Sequence, residues 1–291
     1  MRTCDIFKNK TVFSFEVFPP KKTSPVETVY KALNELKDLR PDFISVTYGA
    51  GGSENCDTTL DIVKRVKNVC GVESVSHLTC TYLTKDEATK VLETFRENGV
   101  ENILALRGDK IEGREPAGDF LYASDLVKFI REFDSKRNDG EFNILGACYP
   151  EGHPTSKSMI EDIQNLKIKV DYGVTHLMSQ LFFDNNYFYD FLEKTRIAGI
   201  NVPIEAGIMP VVNKKQIERM VNICGVALPK KYSAMMDKYG DNTEAIRDAG
   251  IAYAIDQIVD LVSQGVDGVH LYTMNNPYVA KKINDAVRSL F

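Results

Sequence analysis

Apolar positions recur along this chain in two periods that alternate from one end to the other. Val12 to Phe18 is a β-forming run that stops at Pro19-Pro20, and Val26, Val29, Leu33 and Leu36 then follow helical spacing with one buried face. Phe43 to Thr47 predicts the next strand, and Thr59 to Val69 the next helix. Val75 to Thr79 precedes a helix carrying Ala88, Val91, Leu92 and Phe95. Ile103 to Leu106 leads through a loop to Leu126, Phe129, Ile130 and Phe133, and Ile144 to Cys148 leads to Met159, Ile163, Leu166 and Val170. His176 to Phe182, Ile204 to Ile208 and Val269 to Tyr272 complete about eight strands, and a helix near Ala280 to Leu290 closes the chain.

Regular β-then-α alternation implies a parallel sheet, because parallel strands need a crossover connection. A closed barrel and an open doubly wound sheet both satisfy that order. Eight units without a linker or compositional break predict one α/β domain over residues 1–291, a (β/α)8 barrel of the TIM type. The stretch at 226–243 is read as an inserted helix or loop within that domain.

Composition narrows the classes. Its 43% hydrophobic and 26% charged residues are ordinary globular values and argue against disorder or coiled coil. The net charge of -5 argues against a nucleic-acid surface but leaves room for a locally basic pocket. Six scattered cysteines contain no C-x-x-C pair, so neither a zinc ribbon nor an iron–sulfur run is visible. Met1 to Lys10 is polar and charged, which reads as no secretory leader. No apolar run approaches the roughly 18 residues of a membrane span. The expectation is a cytoplasmic protein with reduced thiols.

Polar residues cluster where strands end. Glu16, Thr47, His77, Asp109, Tyr149 and Gln180 each fall at or just beyond the C-terminal end of a successive predicted strand. In a parallel barrel those ends converge on one mouth, where distant positions become neighbours. Glu16 sits in Phe13-Ser-Phe-Glu-Val-Phe-Pro-Pro, where poor hydration disfavours a charged carboxylate and raises its pKa. That suits a general acid working near neutral pH, while a buried salt bridge is an equally open reading.

Tyr48-Gly-Ala-Gly-Gly-Ser lacks both G-x-G-x-x-G and Walker spacing, so it reads as a barrel loop and only weakly as a phosphate cradle. Leu106-Arg-Gly-Asp delivers a fixed cation and an anion across one permissive glycine. Asp162, Asn165 and Lys169 share one helix face, by default a solvated one. His77, His153, His176 and His270 show no metal-ligand spacing, so structural or hydrogen-bonding roles are expected and no metal is assigned.

Taken in order, Phe15-Glu-Val-Phe-Pro-Pro-Lys, Val46-Thr-Tyr-Gly-Ala-Gly-Gly, His77-Leu-Thr-Cys, Leu106-Arg-Gly-Asp, Tyr149-Pro-Glu-Gly-His-Pro, Gln180-Leu-Phe-Phe-Asp and Gly207-Ile-Met-Pro resemble the methylenetetrahydrofolate reductase family. The matching stretches span nearly the whole chain, and its length is similar to the bacterial form, without the regulatory domain of the animal enzymes. The resemblance implies a flavin-containing (β/α)8 barrel that reduces 5,10-methylenetetrahydrofolate to 5-methyltetrahydrofolate with FAD and NADH.

By matching position, the resemblance makes Glu16 the general acid that favours opening of the five-membered folate ring and formation of a reactive iminium. Asp109 would lie near flavin and pterin, where its charge stabilises that cation and tunes the flavin. Gln180 and Gln216 would hydrogen-bond the folate. Thr47, His77, Arg107, Gly108, Asp109, Ala123, Tyr149, His153, Asp162, Asn165 and Lys169 match flavin-contacting positions, which reverses the default for the Asp162 face.

Three positions depart from the bacterial pattern. Met220 stands where a stacking phenylalanine is common, Asn276 replaces an arginine after the last strand, and Ile168 replaces a basic residue. Losing a basic residue weakens recognition of an anionic tail, and a thioether only partly substitutes for an aromatic ring. The electron donor is therefore read as NADH or a partner subunit. A pterin-dependent methyltransferase barrel and a non-turnover subunit of an electron-transfer complex remain the competing functions.

Overall fold

The computed structural model describes residues 1–20, 24–48 and 56–291. Eight strands, β1 (Val12–Val17), β2 (Phe43–Val46), β3 (Glu73–Thr79), β4 (Asn102–Leu106), β5 (Asn143–Cys148), β6 (His176–Ser179), β7 (Ile204–Ile208) and β8 (Gly268–Tyr272), pair in parallel and in sequence order. β1 pairs with β8, with Glu16 opposite Tyr272, and this closes the barrel. The (β/α)8 expectation holds, and the open sheet is excluded by that pairing.

The strands bury both faces, as parallel strands under helices must. Phe13, Phe15, Ile44 and Val46 point outward and pack with Leu33 and Leu36 of α1 (Glu27–Leu36) and Ile62 and Val66 of α2 (Cys56–Asn68). The alternate positions Val12, Phe43, Val75, Leu104, Leu145 and Met178 form a separate apolar cluster that fills the base of the barrel. Above it, the same inward parity brings Ser14, Ser45, Glu205 and His270 into the interior, and then Glu16 and His77 towards the mouth.

Helices start where the sequence supplies a cap. In α3 (Lys85–Glu97), Thr84 Oγ1 accepts the Glu87 N–H and the Glu87 carboxylate accepts the Thr84 N–H, a reciprocal box that satisfies two otherwise unpaired donors. α4 (Ala123–Ser135) and α5 (Met159–Asp171) follow β4 and β5, and α6 (Asn185–Ile197) follows β6.

Several boundaries differ from the sequence reading, and two of the differences have a clear cause. β6 stops at Ser179, not Phe182, because the apolar run continues for another reason. Phe182 stacks on Phe188 at 5.0 Å, while Leu181 and Phe183 join a cluster with Val211, Ile217, Tyr232 and Met236. The closing helix begins earlier, at Pro277, where the proline suits a first helical turn. Between β7 and β8 run α7 (Lys214–Cys224), α8 (Lys230–Tyr239) and α9 (Thr243–Ser263), followed after β8 by α10 (Pro277–Val287). α8 supplies Tyr232 and Met236 to that second cluster.

Candidate active site

Glu16 ends the inward row of β1, opposite Ser45 and Tyr272, and is only 5% exposed. His77 Nε2 lies 3.5 Å and His270 Nε2 3.7 Å from Glu16 Oε2. Burial raises the Glu16 pKa to about 7, opposed in part by His77 and by the Ser45 hydroxyl. Both imidazoles are themselves desolvated, His77 down to about 4 and His270 to about 3, so they are neutral near pH 7. Among the described residues no lysine or arginine pairs with Glu16. Of the two readings open in the sequence, a poorly hydrated acid fits and a salt bridge does not.

On the same C-terminal side of the barrel, a cleft of about 390 Å³ opens between the ends of β4 and β5 and helices α4 and α5. Arg107, Ala123, Tyr149, His153, Asp162, Asn165 and Lys169 all line it. Asp162 holds the loop after β5: its carboxylate accepts the His153 N–H at 3.1 Å and the Ser156 hydroxyl at 3.0 Å. The Thr155 N–H donates to His153 Nδ1 at 3.1 Å, so the neutral ring carries its proton on Nε2. Desolvation and the Arg107 cation both lower the His153 pKa and favour that neutral form. The half-buried Lys169 draws its ammonium inward onto the Ala147 carbonyl, and burial lowers its pKa. The predicted Asp162 face therefore points at a cleft rather than at bulk solvent. Ile168 lies on the rim, 44% exposed.

Gly108 has φ +90°, and a Cβ there would stand 2.9 Å from the Thr79 Cβ. Glycine alone lets the chain turn at this point, leaving Arg107 in the cleft and Asp109 exposed at the mouth. Asp109 acts electrostatically on Tyr149 and His153, and Glu16 acts on Tyr272, which also feels Tyr149. Both carboxylates lie on the C-terminal side of the parallel barrel, at the end of β1 and just past β4.

Thr47 is half-buried just past β2, its N–H donating to the Val17 carbonyl at 3.1 Å. Gln180 follows β6; its N–H donates to the Cys148 carbonyl at 2.7 Å and its side-chain oxygen accepts the Leu181 N–H. Gln216 lies in the first turn of α7, where its N–H donates to Asn213 at 2.8 Å. Most of the glycine-rich loop after Tyr48, residues 49–55, lies outside the described residues.

Sequence reasoning did not single out Ser14, Ser45, Glu205 or Tyr272. The signal was present in part: Ser14 and Glu16 alternate with Phe13 and Phe15, which marks a polar inward row in a parallel strand. Two departures have local explanations. Met220 is half-buried against the Leu181–Phe183 cluster, and Asn276 caps α10 by accepting the Val279 N–H at 3.2 Å.

The family model for methylenetetrahydrofolate reductase matches residues 2–288. The chain belongs to the methylenetetrahydrofolate reductase family. A methylenetetrahydrofolate reductase (NADH) 1 of Arabidopsis thaliana is 40% identical over 281 residues, covering 92% of this chain and 47% of that protein. The chain thus spans about half the length of the plant reductases it matches. A 5,10-methylenetetrahydrofolate reductase of Escherichia coli (strain K12) is 38% identical over 262 residues, 90% of this chain and 86% of that protein. Among solved structures, an uncharacterised Clostridium thermocellum protein that binds two copies of 5-methyl-5,6,7,8-tetrahydrofolic acid matches with a TM-score of 0.67. It is 14% identical and covers 100% of this chain and 99% of that one, a likeness of fold. Among the described residues no helix is long and apolar enough to cross a membrane, and no group of three or more His, Cys, Asp or Glu could hold a metal ion.

Proposed function

We propose that this reductase-family chain is a flavin-dependent oxidoreductase that reduces 5,10-methylenetetrahydrofolate to 5-methyltetrahydrofolate, with FAD in the cleft and folate over Glu16. The observation that carries the reading is the Glu16 carboxyl, buried with no lysine or arginine partner among the described residues and raised to about 7. A carboxylic acid that keeps its proton near neutrality can deliver it to a substrate nitrogen, which is what opening the five-membered ring of the folate requires.

The cleft suits an anionic dinucleotide. Arg107 and Lys169 supply positive charge, His153 keeps an Nε2–H donor, and Asn165 stands exposed on the same wall. A flavin held there supplies the two-electron carrier that the barrel lacks. Ala123, Tyr149 and Asp162 line the same cleft, and Thr47, His77 and Gly108 on the neighbouring strands and strand ends would complete the flavin's surround. Asp109 offers negative charge to the cationic form of the opened folate, and Gln180 and Gln216 offer amide groups to its pterin. The plant relatives are named as NADH reductases, which makes NADH the donor of choice.

Anaerobic stopped-flow tests the whole reading. The purified protein is expected to be yellow, to bleach with NADH and to recover colour with methylenetetrahydrofolate. A colourless protein that binds no added FAD would sink the flavin assignment and favour a pterin methyltransferase. Bleaching by reduced ferredoxin but not by NADH or NADPH would transfer the donor role to a partner subunit. Full flavin occupancy without folate turnover would leave an electron-transfer subunit.

A further inference from the structure

Behind Glu16 the barrel interior holds a second buried acid. Glu205 on β7 is fully buried, and its Oε1 lies 2.7 Å from the Ser14 hydroxyl, while its Oε2 has no hydrogen-bond partner among the described residues. Ser14 Oγ lies 2.6 Å from His270 Nδ1, and His270 Nε2 lies 3.3 Å from the Ser45 hydroxyl. Ser45 stands opposite Glu16 in the β1–β2 pairing, and its hydroxyl holds the Glu16 pKa down. Three hydrogen bonds and the Ser45 hydroxyl's action on Glu16 form four links that join Glu205 to Glu16 through Ser14, His270 and Ser45, on β1, β2, β7 and β8.

Each link needs one hydrogen. Ser14, Ser45 and a neutral His270 supply three between them, so the four links are filled only when one of the two carboxyls is protonated. With two carboxyl protons one hydrogen has no acceptor, and with none a link is empty, in an interior where an unmade bond costs about 1–3 kcal/mol. We propose that Glu205 and Glu16 share a single proton through this chain, and that Glu205 is a positioning residue that resupplies Glu16. The inference rests on the reading of Glu16 as the general acid.

The transfer balances without a co-reactant. Glu205 gives its proton to Ser14 Oγ, Ser14 gives its own to His270 Nδ1, His270 passes the Nε2 proton to Ser45, and Ser45 protonates the Glu16 carboxylate. Glu205 ends as the carboxylate, Glu16 as the acid, and His270 as the other neutral tautomer. The titratable groups facing Glu16 are His77 on β3 and His270 and Tyr272 on β8, while Asp42 and Asp267 act on Glu205. Burial pushes Glu205 up to about 8 and Glu16 to about 7, so both acids hold a proton over a similar pH range, and burial drives His270 down to about 3, towards its neutral form.

Carboxyl-13C NMR of the flavin-loaded, glutamate-labelled protein tests this. Glu16 and Glu205 are expected to titrate together in two shared steps, whereas in Glu205→Gln the Glu16 resonance should move in one step. Ser14→Ala keeps both acids but cuts the chain, so each should then titrate alone; it also serves if Glu205→Gln fails to fold. The folate half-reaction should follow, with about a tenfold loss at pH 8 in either variant and unchanged reduction of the flavin by NADH. A Glu16 titration identical in all three proteins overturns the shared proton. Wild-type protein whose flavin folate does not reoxidise defeats the proposed reaction instead, and leaves the NMR coupling standing.

Discussion

His77 Nε2 stands 3.5 Å from Glu16 Oε2 with both side chains buried, yet the imidazole is the weaker proton holder of the two. Each group is desolvated, so each is driven to its neutral form: the acid upward and the base downward. Below about pH 7 the pair is thus an uncharged acid beside an uncharged ring.

That electrostatic state has a pH signature. Reactive Glu16 is the protonated form, so the folate half-reaction should fall as pH rises above about 7. Glu16→Gln should retain flavin and its reduction by NADH while losing folate reduction by about a hundredfold or more. Stability moves in the same direction. The folded value lies above the ordinary 4.5, so the native state holds the proton over the interval up to about 7. The Glu16 contribution is full below about 4.5 and is lost as pH rises through about 7. Thermal denaturation at pH 5 and pH 8 should therefore show Glu16→Gln gaining on wild type at the higher pH, by on the order of 2 kcal/mol. An equal difference at both values would count against a buried neutral acid.

Gly207 tests how tightly the mouth is packed. A Cβ there would lie 2.3 Å from the Ser179 carbonyl oxygen and 2.9 Å from the Tyr272 ring, whose hydroxyl donates to that same carbonyl at 2.8 Å. Gly207→Ala must push β7 from β6 or displace Tyr272 from beside Glu16. A loss of about 2–4 kcal/mol in urea unfolding is expected, with reduced folate turnover in whatever protein folds.

The fold was legible because a parallel barrel writes its strands as apolar runs and its helices as a 3.6 period, and β7 shows this with the bounds expected for it. Legibility failed where an apolar run served a different neighbour, as with Phe182 and Phe183, which leave β6 to pack beneath α6, α8 and α9. In the site, Glu16 announced itself by aromatic neighbours. The Asp162–Asn165–Lys169 face did not, because spacing on a helix says nothing about whether water or a cleft lies opposite. Glu205 was hidden for a related reason: a lone acid in an Ile204–Ile208 run gains meaning only when Ser14, distant in sequence, is set 2.7 Å away.

Asn276 reads in the sequence as a lost arginine, and in the structure as a helix cap. Its side chain accepts the Val279 N–H at 3.2 Å, a bond that arginine, having only donors, cannot make. Asn276→Ala should cost about 1 kcal/mol, and Asn276→Arg should cost as much or more. Chemical denaturation of the two variants checks this; an arginine variant as stable as wild type would remove the capping role.

Asp162 separates loop positioning from direct contact. Its two carboxylate oxygens accept different donors, the His153 N–H and the Ser156 hydroxyl, so the segment that carries His153 into the cleft is fixed from α5. Asp162→Asn replaces one acceptor by an NH2 group facing a donor, and one of the two bonds must break. Because Thr155 still donates to His153 Nδ1, the ring should keep its tautomer but lose its position against Tyr149, now 4.5 Å away between centroids. Flavin affinity is then expected to weaken about tenfold in a fluorescence titration, with 15N NMR showing an unchanged His153 protonation pattern. Asn165→Ala, which disturbs no loop bond, should weaken flavin binding only by the contact it makes itself. If Asp162→Asn bound flavin as wild type does, Asp162 would hold the loop without bearing on the cleft.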